Sequence, residues 1–264
     1  KCQILINKLN LGNMDEVIFE ATILNKKHPE QEVFYNLLSL AYQLKGDYEK
    51  SIDLLENALK RNKNNFNFLN NLGLSYFKKK DYITAEQYFL KVLEIKPNYI
   101  NTLNNLAALY EEINHIEKSE NLFKKSISLN SEVIETNYNL ASLLQSIGKF
   151  EEAKIYYKKT LKLDENFTRS DRSLAMLEKY NPDNDHIRIM EKKIKDKKLH
   201  KNNIVDLSFA LGKVYEDIKD YKKSFFYIEK ANKLKKSLSN YNIENDKELF
   251  KKIKNFYKNN TLHQ

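Results

Sequence analysis

The sequence contains no tryptophan, one cysteine, three prolines and five glycines in 264 residues. A chain with so few helix-breaking residues and so many straight-chain side chains favours an all-helical fold. Because Cys2 has no second cysteine as a partner, an internal disulfide is excluded. This suits a reducing compartment, so we expect a cytoplasmic location.

Several functional classes also lack their usual signatures. No apolar run reaches about 18 residues, so no membrane-spanning helix is expected. No secretory signal peptide is visible, although the chain begins at Lys1 rather than Met and its natural N-terminus is expected upstream. There is no glycine-rich phosphate loop. The histidines are dispersed and do not have the spacing of a metal site; they are His28, His115, His186, His200 and His263. We therefore expect neither a catalytic site nor a cofactor within these residues.

The positive charge of the chain, +9 in total, is concentrated in its C-terminal part. Residues 188–264 contain 20 Lys/Arg and 10 Asp/Glu, whereas residues 1–187 contain 25 and 26. A basic surface attracts phosphate, nucleic acid or an acidic partner, but a solvated lysine-rich surface has the same composition. The nearby Phe225, Phe226 and Tyr227 follow a helical spacing that predicts a role in the core, so we do not expect a nucleic-acid partner.

The most informative pattern is an internal repeat of 34 residues. Each unit has a leucine followed by a small residue, an aromatic or large residue three positions later, and a small and a large residue in its second half. Four units keep strict phase, with the pairs Leu38-Ser39, Leu72-Gly73, Leu106-Ala107 and Leu140-Ala141. This pattern resembles that of the tetratricopeptide repeat (TPR).

The resemblance implies an all-α fold, a right-handed α-α superhelix (a TPR solenoid) of antiparallel helical hairpins. One hairpin cannot bury its apolar face alone, so neighbouring hairpins stack. The solenoid is expected over residues 1–167, as a partial first repeat and then repeats starting at 32, 66, 100 and 134. The residues expected to be buried between its helices are Leu72, Leu106, Leu140, Tyr76 and Tyr110.

Beyond residue 167 the phase is lost. Residues 168–203 are predicted to form a divergent hairpin that is interrupted near Pro182, with a charged helix over 188–201. A further repeat is predicted over 204–236, and 237–264 is predicted to form a capping or linker helix. Its amphipathic stretch would cover the last repeat with one broad apolar face, formed by Leu249, Phe250, Ile253, Phe256 and Tyr257.

The C-terminal third carries a more specific resemblance. The run 209–221, the interrupted segment around 182–199 and the tail 241–256 are similar to the TPR region of bacterial TPR-containing sulfotransferases. In that family a catalytic domain follows directly and binds the donor 3'-phosphoadenosine-5'-phosphosulfate (PAPS). The resemblance implies a parent protein that is a PAPS-dependent sulfotransferase, with its catalytic and donor-binding residues beyond Gln264. A standalone TPR adaptor without an enzymatic domain is the alternative, because both proteins would use the same solenoid.

Asparagines recur on the predicted first helices at the repeat spacing. They are Asn71, Asn105 and Asn139 at one position, with the pairs Asn67/Asn101 and Asn70/Asn104 at two others. In TPR proteins the first helices line the concave surface, and a similar ladder occurs in the TPR region of O-linked N-acetylglucosamine transferase. Because an amide both donates and accepts hydrogen bonds, these seven side chains would bind the backbone of an extended peptide. The alternative is that asparagine at these positions serves packing.

One familiar TPR function is disfavoured. TPR proteins that bind chaperone tails hold a terminal carboxylate with lysines and arginines on their first helices. The comparable positions here are uncharged: Asn36, Leu40, Asn71, Asn101 and Asn105. Carboxylates close to them in sequence would repel such a ligand; they are Glu111, Glu112 and Glu135. The predicted partner is therefore a protein or peptide bound through polar amides, and the sequence does not predict an oligomeric state.

Overall fold

The computed structural model describes residues 2–239 and 242–260, which form fifteen α-helices and no β-strand. In chain order they are α1 (Cys2–Asn10), α2 (Met14–Lys27), α3 (Glu32–Lys45), α4 (Tyr48–Leu59), α5 (Phe66–Lys78), α6 (Tyr82–Ile95), α7 (Ile100–Glu112), α8 (Ile116–Leu129), α9 (Ile134–Ser146), α10 (Phe150–Leu163), α11 (Thr168–Leu177), α12 (Asp185–Lys193), α13 (Lys201–Asp217), α14 (Tyr221–Leu238) and α15 (Ile243–Asn260). The predicted all-α fold of antiparallel hairpins is confirmed. His263 and Tyr241 lie outside the described residues.

The chain divides into two compact units, Lys1–Lys159 and Thr160–Gln264. In the first unit, α3, α5, α7 and α9 begin at the four positions that the 34-residue phase assigns to first helices. Helices α3, α5 and α7 each pack against the second helix of their own hairpin and against the first helix of the next. Of the residues expected between these helices, Tyr110 and the three leucines of the repeat pattern are buried, and Tyr76 is half-buried.

The turns of the hairpins share one backbone feature. A single residue with positive φ follows each first helix, and these residues recur every 34 positions: Gly12, Gly46, Lys80, Asn114 and Gly148. Glycine adopts positive φ without strain, whereas a residue with a Cβ atom loses stability in this conformation. Lys80, at φ 69°, therefore adopts a conformation that glycine adopts at the same place in other repeats.

Lys80 is therefore a position at which substitution by glycine should stabilise the protein. We expect Lys80→Gly to raise the free energy of unfolding by about 1 kcal/mol, because glycine removes the left-handed strain. Urea denaturation followed by circular dichroism would measure the change. The matched control is Lys79→Gly, at φ −72°, which should lower stability because that residue has ordinary helical geometry. A Lys80→Gly variant that is less stable than the parent would contradict this reading of the turn.

The second unit departs from the predicted element bounds. The charged helix predicted over 188–201 is instead α12, Asp185–Lys193. It starts earlier because the Asn184 side chain accepts a hydrogen bond from the backbone N–H of His186 and caps the helix. It ends earlier because the chain turns at Asp196, whose carboxylate accepts from the backbone N–H of Lys198. Ile187 and Met190 of α12 pack with Leu207, Leu211 and other buried residues of α13.

Two predictions about apolar residues in the second unit are wrong. Phe225 and Phe226 were expected in the core, but both are exposed. Tyr227 does pack inward and stacks on Tyr215 with ring centroids 5.7 Å apart. The C-terminal helix forms as α15, and the apolar face that was predicted to cover the last repeat is also exposed. None of the helices in the described ranges is both long and apolar enough to span a bilayer.

Candidate functional site

The predicted asparagine ladder lies on the first helices of the first unit, where its amides connect neighbouring repeats. The Asn71 Nδ2 atom on α5 donates to Asn36 Oδ1 on α3 at 2.8 Å. One repeat later, Asn105 Nδ2 on α7 donates to Asn70 Oδ1 on α5 at 3.1 Å. The two hydrogen bonds are repeat equivalents, and each links the first helices of consecutive hairpins.

Asn70 differs from its neighbours in exposure. Its side chain also accepts from the Thr102 hydroxyl at 2.7 Å, and the residue is only 6% exposed. The expectation that Asn70 faces the groove is therefore wrong, because its amide oxygen is enclosed between α5 and α7. Asn71, Asn105 and Asn139 are half-buried and keep part of their surface accessible.

The remaining asparagines of the ladder lie around one tyrosine and one threonine. The Tyr99 hydroxyl donates to Asn67 Oδ1 at 3.0 Å and accepts from Asn101 Nδ2 at 3.3 Å. Asn104 Nδ2 donates to the Thr136 hydroxyl at 2.7 Å, while Asn104 Oδ1 is buried without a hydrogen-bond partner. Asn67 and Asn104 are half-buried, and Asn101 is exposed.

A network of buried hydroxyl groups connects α3, α4 and α5 close to the ladder residue Asn71. The Ser51 hydroxyl on α4 lies 2.8 Å from Ser39 Oγ on α3 and 2.8 Å from Ser75 Oγ on α5. Gln43 Nε2 donates to Ser75 Oγ at 2.8 Å and to the backbone oxygen of Asn71 at 3.1 Å. These contacts fix the backbone of α5 at a ladder residue. In sequence, the signal was serine at positions where the next repeat has glycine or alanine, since Ser39 aligns with Gly73 and Ser51 with Ala85.

Helix α7, which carries Asn105, has carboxylates and no lysine or arginine. Glu111 on α7 is half-buried, and burial together with the adjacent Glu112 charge raises the pKa of its carboxyl. Tyr110 donates its hydroxyl to Glu86 at 2.6 Å, and burial with this hydrogen bond raises its pKa to about 12. Negative charge of this kind disfavours a ligand with a terminal carboxylate.

A second polar cluster, not anticipated from the sequence, lies in the second unit. Its centre is Asp171, whose side chain is 0% exposed. Lys193 Nζ donates to both Asp171 oxygens at 3.0 Å, and the Lys193 side chain is 9% exposed. His186 Nε2 lies 2.8 Å from Asp171 Oδ1, and His186 Nδ1 lies 2.7 Å from the hydroxyl of Tyr180. We call these four residues the Asp171 cluster.

The His186 ring lies between a hydroxyl and a carboxylate. Burial raises the pKa of Tyr180, so its hydroxyl stays protonated and is able to donate to His186 Nδ1. In that arrangement the ring proton lies on Nε2 and donates to the Asp171 carboxylate. The chain of donors and acceptors is complete, so the cluster ties α12 to α11 and satisfies the buried charges.

A cavity of ≈ 460 Å³ borders the Asp171 cluster. Its ionisable lining comprises two lysines, one histidine and three carboxylates: Lys192, Lys193, His186, Glu165, Asp171 and Asp196. This mixture has no surplus of positive charge that would select a phosphate or sulfate group. Within the described residues, no group of three His, Cys, Asp or Glu side chains is placed to hold a metal ion.

Comparison with protein families identifies the repeats. Models described as tetratricopeptide repeat match residues 65–132, 134–167 and 205–238, and one described as TPR repeat matches 40–80. Together these ranges cover more than half of the chain. No curated protein matches the sequence.

Two solved structures show the same fold at low identity. A thermophilic TPR protein of Thermus thermophilus is 17% identical, with a TM-score of 0.61, over 66% of this chain and 95% of that one. The PilF protein of Pseudomonas aeruginosa is 18% identical, with a TM-score of 0.55, over 84% of this chain and 93% of its own.

Proposed function

Since the chain belongs to the tetratricopeptide-repeat family, we propose that it is an interaction scaffold whose first unit binds an extended segment of a partner protein along the asparagine ladder. The observation that carries the proposal is the recurrence of half-buried amides at one position of three consecutive first helices: Asn71, Asn105 and Asn139. Their spacing suits a peptide backbone better than a compact ligand.

The dimensions of the repeat support an extended ligand. Packed helices lie about 8–10 Å apart, and an extended chain advances about 3.3 Å per residue. One amide of the ladder would therefore meet the peptide about every third residue. Each amide would donate to a peptide carbonyl and accept from a peptide N–H, which requires no particular side chain.

The electrostatics favour an internal segment over a free C-terminus. No lysine or arginine occupies the ladder positions, and helix α7, which carries Asn105, also carries the half-buried Glu111. A terminal carboxylate would lose hydration there without gaining a cationic partner. An internal segment of a protein, or a peptide with blocked ends, has no terminal carboxylate and avoids this loss of hydration.

A triple substitution tests the ladder. We expect Asn71→Ala, Asn105→Ala and Asn139→Ala together to weaken peptide binding by at least about tenfold, since several neutral hydrogen bonds would be lost. The probe is an array of peptides with blocked ends, screened first with the parent protein. The affinity of the strongest binders is then measured by fluorescence anisotropy.

The control for this experiment removes the same number of amides elsewhere. Asn57, Asn98 and Asn121 are exposed residues outside the ladder, and their triple alanine variant should bind as the parent does. Circular dichroism would verify that both variants remain helical. Equal binding by the ladder variant and the parent would mean that the amides serve only to join the repeats.

A finer proposal is that this scaffold is the recognition region of a PAPS-dependent sulfotransferase. It is supported by the run 209–221 and by the interruption around Pro182, which resemble that family. The test lies in the gene: a strand and a glycine-rich phosphate loop encoded soon after Gln264 would support it. A reading frame that closes there would leave the standalone adaptor. For either protein we propose a cytoplasmic location, supported by the single cysteine.

A further inference from the structure

The C-terminal helix α15 has an apolar face that is largely exposed. Its six large apolar residues are between 43% and 69% exposed: Ile243, Leu249, Phe250, Ile253, Phe256 and Tyr257. Most helical stability in proteins comes from packing an amphipathic face, so a helix of this composition needs an apolar surface to lie on.

The residues of α15 are sorted by chemistry around its axis. Each residue is rotated by about 100° around the helix axis from the one before it. On this projection the apolar residues fill a sector of about 140°, with Phe256 at one border and Ile243 at the other. Lys254, Lys247 and Lys251 follow directly on one border of this sector, and Lys252 lies beyond the other.

The acidic residues of α15 complete this arrangement. Glu244 and Glu248 lie on the back of the helix, where they pair with Lys247 and Lys252. The exception is Asp246, which falls within the apolar sector in the first turn. An apolar sector bordered by lysines is typical of helices that lie in the interface of a membrane.

Charge decides between the surfaces that could cover this face. Within the same unit, α14 exposes an apolar strip with Phe225, but α14 carries six lysines and one glutamate. Residues 243–260 of α15 carry five lysines and three acidic residues. Docking one positive helix on the other would bring like charges together. An anionic surface would instead attract both.

We propose that α15 is an interfacial helix that binds the surface of membranes containing anionic phospholipids. The aromatic and aliphatic side chains of its apolar face enter the boundary between headgroups and acyl chains. The bordering lysines remain at the level of the headgroups, with their stems along the apolar sector. The helix lies on the bilayer and does not cross it.

Flotation of the full chain with lipid vesicles tests this proposal. The chain should float with vesicles of phosphatidylcholine mixed with phosphatidylglycerol, and much less with phosphatidylcholine alone. Raised salt should weaken the binding, since screening reduces the attraction between lysines and headgroups. No flotation with the anionic vesicles would overturn the proposal.

Variants separate insertion of the apolar face from simple charge attraction. Phe250→Ser with Ile253→Ser should reduce partitioning by at least about tenfold, because two large side chains no longer leave water. The control is Phe19→Ser on α2, a residue that is 68% exposed, which should bind as the parent does. Undiminished binding by the double variant would overturn the proposal in favour of a general basic surface.

Sedimentation of the same proteins addresses the alternative occupants of the face. The parent and the Phe250→Ser, Ile253→Ser variant should sediment alike in the absence of lipid. A dimer that depends on these two residues, without vesicle binding, would replace the membrane with a second copy of the chain.

Discussion

Replacing Asp171 by alanine is expected to lower the free energy of unfolding of the second unit by about 3 kcal/mol. The variant leaves the Lys193 ammonium, which is 9% exposed, without its carboxylate partner. It also removes the acceptor of the His186 Nε2–H hydrogen bond. The cost is placed at the lower end of the range for broken buried ion pairs because the adjacent cavity would admit water to the stranded charge.

Urea denaturation followed by circular dichroism would measure this loss, with the two units treated as separate transitions where the curve requires it. The matched control is Asp185→Ala, which breaks an exposed ion pair with Arg188 in the same region. Because exposed pairs contribute little, this variant should differ from the parent by less than about 0.5 kcal/mol.

A double-mutant cycle would identify Lys193 as the partner. Lys193→Met alone and Asp171→Ala alone should each destabilise the unit, and the two losses together should fall short of their sum. Strict additivity within about 0.5 kcal/mol would show that the two side chains act independently. That result would contradict the role assigned to the buried pair.

The repeat register contains a signal for the Asp171 cluster. Asp171 falls at the position held by Leu69 and Leu103 in earlier repeats, and both leucines are buried. A carboxylate at a position that packs into the core requires a compensating cation or donor. Its partners could not be identified from sequence, because His186 and Lys193 follow an irregular loop whose path decides where α12 lies.

Local patterns predicted the first unit far better than the second. In the first unit, helix starts and left-handed turn residues recur every 34 residues. Each repeat therefore supports the prediction of its neighbour. The bounds of α12 depend instead on a single Asn184 cap and an Asp196 turn. Such local side-chain hydrogen bonds compete closely with helix continuation and are not periodic.

The asparagine ladder shows the limit of reasoning from register alone. Periodicity predicted which helices carry the amides, and the structure places them there. It did not predict that Asn70 would be enclosed while Asn71 keeps an accessible edge, because one residue changes a side chain's direction by about 100° around a helix. Whether the accessible amides bind a peptide stays a prediction.

Gly73→Leu is expected to destabilise the first unit by about 3 kcal/mol, the upper end of the usual cost of overpacking. A Cβ atom at Gly73 would lie 2.6 Å from Cε1 and 2.7 Å from Cδ1 of Phe89. Phe89 is 0% exposed, so its ring has no solvent to move into. Thermal melting would record the loss, and an unchanged midpoint would mean that the repeat register assigned to Gly73 is wrong.

The neighbouring repeats supply the control for this substitution. Ala107 occupies the register of Gly73 one repeat later, with the fully buried Phe123 in the register of Phe89. The hairpin therefore accommodates one methyl group beside an aromatic ring, and Gly73→Ala should cost less than about 1 kcal/mol, since alanine also favours the helix over glycine. Adding Phe89→Ala to Gly73→Leu should restore part of the stability relative to the sum of the single losses, because the new side chain would occupy the vacated volume. Additive losses would show that the leucine does not meet the Phe89 ring.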